Sequence, residues 1–199
     1  MNELHALLKL RTREIHNSLE KDSIFRLLLS PLLTNKNYFV IINNIYNAYI
    51  EWQKQLDFFY DKNDINRLWY IDLKTTLLKK EISHKVDAHT ANNIAVLKPS
   101  IKSEAHYLGC AYVFEGAKLG SKIIAKSLIR NNNITNPQQS YFCQLSQSSQ
   151  IKLSWENWID RLYYYSAEKS IPFNDIVTGA VSCFTSIHEQ FKCCNLHLT

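Results

Sequence analysis

Tyr112-Val113-Phe114-Glu115-Gly116-Ala117-Lys118-Leu119-Gly120 decides how this chain folds. It sits inside a segment, Ile101 to Arg130, whose apolar residues recur with helical spacing. Ser100 is placed to cap that segment, so we read one long helix. With Gly109, it carries three of the chain's four glycines. A usual glycine content near 7% would give roughly fourteen. At about 100° per residue the three point within about 40° of one another. Each costs roughly 1 kcal/mol relative to alanine in a helix interior. A chain that otherwise avoids glycine has gathered it on one helical face, so something approaches that backbone closely. One reading is a second helix, packed on the small-xxx-small spacing of Gly116 and Gly120. Glu104, Glu115, Lys118 and Lys122 exclude a membrane-embedded form of it. The other reading is a flat ligand. Tyr112 and Ser127 put polar handles beside the stripe, and glycine allows a kink over such a ligand.

Outward from this segment the pattern stays helical. Leu4, Leu7, Leu8, Ile15 and Leu19 share one face of a first helix. A short helix covers Ile24 to Leu29 and ends at Ser30-Pro31. Thr34 caps a long helix from Lys36 to Tyr60, and Asp64 caps one reaching Ile82. Ser83 to Pro99 reads as a loop. Helices follow near 138–145 and 151–167, and Pro172 opens a last one reaching Cys193. No alternating strand pattern competes. The expectation is an all-α, bundle-like single domain over residues 1–199, with seven to eight helices.

Composition bounds function. The chain has 199 residues, 46% of them hydrophobic, enough for one ordinary core. No apolar run is long enough to span a membrane, and no signal peptide is read at the N-terminus. Five cysteines without CxxC spacing fit reduced thiols in a cytoplasm. The net charge of +5 favours anionic ligands or acidic partners. No block of basic residues supports nucleic-acid binding.

The first helix holds the second informative stretch, Leu10-Arg11-Thr12-Arg13-Glu14-Ile15-His16-Asn17-Ser18-Leu19-Glu20. His16 lies at the edge of the apolar stripe. Lys9 is two turns earlier on nearly the same side, an axial offset of about 10 Å. One helix could thus offer an imidazole for a heme iron and a cation for a propionate. The alternative is an ordinary solvated or core histidine. His106, one turn before Gly109, is the main rival ligand, and His188 lies on the last helix. His5, His84, His89 and His197 read as surface or loop residues. Glu81 and His84 have ExxH spacing but no second copy, and we read that as chance.

Together these stretches resemble the heme oxygenase family, in particular its bacterial biliverdin-producing branch. Leu10–Glu20 is similar to the proximal helix with its iron-ligating histidine. Tyr112–Gly120 is similar to the YVxEGxxLG motif over the other heme face. The resemblance implies a heme oxygenase-like helical bundle that opens heme to biliverdin, CO and ferrous iron, using O2 and electrons from an external reductant. It implies His16 as neutral axial ligand, Gly116 and Gly120 as catalytic positions above the heme, and Lys9, Tyr112, Val113 and Ser121 as heme contacts. Lys9 favours opening at the α-meso position. The electron donor would be an acidic protein of ferredoxin or flavodoxin type, met by Lys9, Arg11, Arg13, Lys118, Lys122 and Lys126. Two positions depart from the family. Ala117 stands where animal enzymes have an aspartate that orders water, and Ser121 replaces a small residue, often glycine. Glu115 is expected to be structural. The alternative function is a non-catalytic heme-binding or regulatory protein on the same fold; other enzymes of that fold would need pocket residues not seen here.

Overall fold

The computed structural model describes residues 2–22, 24–63, 65–83, 99–147 and 151–192. Among them are eight α-helices and no strand: α1 Glu3–Asp22, α2 Phe25–Leu28, α3 Asn35–Lys62, α4 Thr75–Ser83, α5 Glu104–Arg130, α6 Tyr141–Ser146, α7 Ile151–Glu168 and α8 Phe173–Lys192. No helix among the described residues is long and apolar enough to cross a membrane. The class expected from the sequence is therefore the class observed.

Local chemistry sets the boundaries. Thr34 caps α3, its side chain accepting from Asn37 N at 3.2 Å. α5 begins later than expected. Ser103, not Ser100, is the cap, and its hydroxyl accepts from His106 N at 3.2 Å. The helix expected over 138–145 divides at Ser140, which caps α6 through Cys143 N at 3.2 Å. A 3-10 turn, Pro137–Gln139, precedes it. The carbonyl of Pro172 accepts from Asp175 N, as a residue entering α8 should.

The helix expected from Asp64 to Ile82 is mostly absent. A 3-10 turn at Arg67–Trp69 leads into an extended run, and only α4 is α-helical. Gln53 of α3 holds that run open. Its Nε2 donates to Ile71 O at 2.9 Å, and its Oε1 accepts from Leu73 N at 2.8 Å. Trp69, Ile71 and Leu73 are buried while Tyr70, Asp72 and Lys74 are exposed. That is a strand's period of two. The loop expected at Ser83–Pro99 falls, past its first residue and up to Lys98, outside the described residues. So does Asp64.

α5 is the axis of the core. It packs along α8, α6 and α7, while α1 lies on α8 and α3 on α4. The buried apolar residues of all these helices form one continuous cluster. α5 and α8 cross in backbone contact. A Cβ at Gly109 would stand 2.3 Å from Ile176 O, and one at Gly179 would stand 2.6 Å from His106 Cα. Neither glycine is needed for its φ; both are needed because no side chain fits.

Candidate functional site

A cavity of about 440 Å³ lies between α1 and α5, inside the ~300–1,000 Å³ typical of small-molecule sites. α1 lines it with His5, Lys9, Thr12, His16, Leu19 and Glu20, and α5 with residues from Tyr112 to Ile124. Ile71–Leu73, Phe142 and Leu145 of α6, Trp155 of α7, and Phe184 and Ile187 of α8 are also part of the lining. Its rim carries two exposed apolar side chains, Leu29 and Ile123. The residues singled out by sequence, His16, Lys9, Tyr112, Val113, Gly116, Gly120 and Ser121, all border this cavity.

His16 is held from two sides. Its Nδ1 lies 3.7 Å from Glu20 Oε1, and its side chain is 49% exposed. The Phe184 ring meets the imidazole edge-on at 5.4 Å between centroids. A carboxylate beside Nδ1 favours the tautomer with its proton there, which leaves the Nε2 lone pair for a metal. The rival His106 does not line the cavity. It sits at the α5–α8 crossing, where its backbone abuts Gly179 and its Nδ1 accepts from Lys102 N at 3.4 Å. His188 does not line it either; its Nε2 is buried with no hydrogen-bond partner among the described residues.

His5 departs from expectation. It is a wall of the cavity, 6.5 Å from the Tyr112 ring and 6.0 Å from the Trp155 ring, not a surface residue. Burial, and then the nearby Lys9 charge, hold its pKa below 6.5. The sequence contained a signal for it. Residues 5, 9, 12 and 16 follow i, i+4, i+7, i+11 spacing and share one helical face. His84, His89 and His197 lie outside the described residues.

The glycine stripe divides between the two readings. Gly109 belongs to helix packing. At Gly116 an added Cβ would meet the Trp155 ring at 3.4 Å, and at Gly120 it would meet nothing within 4 Å. The stretch from Gly116 to Gly120 therefore faces the cavity and leaves space there, within a continuous α5.

The polar groups of α5 are largely committed. Tyr112 is buried, and that burial pushes its phenol up. Thr12, across the cavity wall on α1, donates to Leu8 O at 2.8 Å. Ser121 is buried and donates to Lys118 O at 2.6 Å, so its hydroxyl closes on the helix backbone. Lys118 pairs with Glu115 at 2.6 Å, one turn apart on α5. Glu81 accepts from Tyr38 OH and Tyr141 N and ties α4 to its neighbours. No group of acidic, histidine and cysteine side chains among the described residues could hold a bare metal ion.

The donor set suits a planar macrocycle that brings its own iron. It offers one imidazole, one exposed lysine on the same helix, aromatic walls and an open glycine face. No curated protein and no solved structure matches the chain. The family model described as heme oxygenase matches residues 2–192, from the start of α1 to the end of α8, and takes in both the imidazole wall and the glycine wall. On that match the chain belongs to the heme oxygenase family.

Proposed function

We propose that the chain is an active heme oxygenase that binds heme in the cavity between α1 and α5. Heme supplies the iron that activates O2 and is itself the molecule opened, to biliverdin, CO and ferrous iron. His16 is the neutral axial ligand, and Glu20 and Phe184 fix its ring. A neutral imidazole does not push O–O cleavage as a thiolate does, which suits attack on the macrocycle. Gly116 and Gly120 leave room above the ring for O2, and Trp155, Val113 and Ile124 exclude bulk water. Lys9 and Tyr112 hold the propionates, and that seating presents the α-meso edge. Electrons come from an external acidic donor. The free, buried Cys110, Cys143 and Cys183 suit a reducing cytoplasm. The bacterial biliverdin-producing branch remains the assignment favoured by the motif around Gly116.

The observation that carries this reading is the pairing of His16, its Nδ1 beside Glu20, with the glycine stretch of α5 on one cavity. A second reading, heme binding without turnover, draws on α5. Ala117 offers no polar atom, and the Ser121 proton is already given to Lys118 O. Proton delivery then rests on water held by backbone groups. Mixing the protein with hemin and then ascorbate separates the two readings. Loss of the Soret band with growth of a broad red bilin band supports the enzyme. A stable, shifted Soret band supports the binding protein.

A further inference from the structure

Trp155 is the cavity's outlet into a file of aromatic rings. It stacks on Trp158 with centroids 5.6 Å apart and planes 7° from parallel. Trp158 meets the buried Trp69 at 5.6 Å, and Trp69 meets Tyr165 at 5.1 Å. Of these four, Trp155 alone lines the cavity. The file ends at a half-buried phenol, whose hydroxyl donates to Glu104 Oε1 at 2.6 Å. Trp155, Trp158 and Tyr165 lie on one face of α7, so a single helix lays out the file around Trp69.

We propose that Trp155, Trp158, Trp69 and Tyr165 form a hole-transfer path that carries one-electron oxidation away from the cavity to Tyr165. At each hop one electron moves toward the cavity. At the end Tyr165 loses an electron to Trp69 and its phenolic proton to the Glu104 carboxylate, giving a neutral tyrosyl radical and a carboxylic acid. The oxidant is a peroxide reacting at bound heme, so the inference rests on the heme reading above. Ring packing alone would account for contact between neighbours. It does not account for the polar ends. The Trp69 Nε1–H is buried with no acceptor among the described residues. Oxidised Trp69 therefore keeps its proton, remains a strong oxidant and passes the hole on. Tyr165 has a charge-assisted acceptor in place, and there the hole stops. The path would spare the cavity wall from oxidation when peroxide reacts without opening the macrocycle.

The test has two arms. In the first, hemin-loaded protein is treated with hydrogen peroxide and frozen for electron paramagnetic resonance. A tyrosyl signal is expected, falling at least tenfold in Tyr165→Phe and in Trp158→Phe, which keep a ring in place. Glu104→Gln should shorten its lifetime. In the second, apo-protein is oxidised at tryptophan by azide radicals. Decay of the tryptophanyl band should be matched by growth of the tyrosyl band, and Tyr165→Phe should abolish that match. A Soret shift on hemin addition followed by a tyrosyl signal unchanged in Tyr165→Phe overturns the path and leaves the heme reading intact. No Soret shift overturns the heme reading and the path's stated role, and the apo-protein arm then decides whether the path itself exists.

Discussion

A histidine in a cavity wall answers to pH through its neighbours. His5 has its pKa lowered from 6.5 chiefly by burial and next by Lys9, with Asp160 opposing. Protonation is thus harder in the folded state than in the unfolded one. Above pH 6.5 both states hold His5 neutral and it contributes nothing. As pH falls below 6.5 the unfolded state takes up the proton first, and stability is lost until the folded pKa is passed. Thermal melts from pH 8 to 5 should therefore show a decline that is smaller in His5→Gln; parallel curves would refute the assignment. His16 is tested by its ligand. His16→Ala should remove the histidine-ligated heme spectrum, with added imidazole restoring it, while His106→Ala should leave it unchanged. The opposite result would exchange their roles. At this scale the sequence pointed to most of the cavity. His16, Lys9, Tyr112 and the two glycines could be chosen because each is chemically conspicuous on a helix already inferred. Trp155 and Phe184 could not, since a tryptophan and a phenylalanine are ordinary core residues until their neighbours are known.

Helices read well from this sequence because the apolar stripes are long, and glycine and proline are scarce. The reading failed where a tertiary contact outweighed local preference. Gln53 supplies hydrogen bonds to the backbone at Ile71 and Leu73, which frees that run from helical pairing. The alternation of Trp69, Ile71 and Leu73 was visible, but a lone run of period two has no partner strand to suggest it. The stripe of α5 shows the same limit. Gly109, Gly116 and Gly120 point the same way, yet one meets a helix and another meets space, and only the position of α8 distinguishes them. Substitution should separate them. Gly109→Ala puts a methyl into the α8 backbone and should cost about 3 kcal/mol or more, given a typical overpacking cost of about 1–3 kcal/mol against movable neighbours. Gly120→Ala meets nothing within 4 Å and should stabilise the apo-protein by about 1 kcal/mol through helix propensity. Gly120→Leu should keep the fold and weaken hemin binding or turnover. Denaturant melts beside hemin titrations measure both effects. An unfolded Gly120→Ala would make the whole stripe a packing seam.

Across the whole molecule the charge is +5, and its placement carries more meaning than its sum. Lys118 is tied to Glu115 and Lys74 to Asp72, so these cations are locally answered. The pairing leaves Lys118 on the cavity lining with part of its charge shared. Of the expected cations, Lys9 and Lys118 line the cavity, while Arg11 and Arg13 on α1 and Lys126 on α5 are exposed, and Lys122 half-buried, outside its lining. We propose that an acidic protein donor is steered by the exposed cations of α1 and α5 together. Steering between exposed charges fades as the Debye length shrinks from about 10 Å at 0.1 M salt to about 3 Å at 1 M. Turnover supported by a ferredoxin-type donor should then fall steeply over that range, whereas turnover supported by ascorbate, a small reductant that needs no docking, should change little. Lys122→Glu should reproduce the salt effect at low ionic strength. Lys118→Glu should do so less, because its charge is already shared with Glu115. Lys9→Glu should instead alter the spectrum of bound heme, since Lys9 lines the cavity itself. If both reductants proved equally sensitive to salt, the cations would be a solvated face, and electrons would have to enter by a route that does not depend on charge.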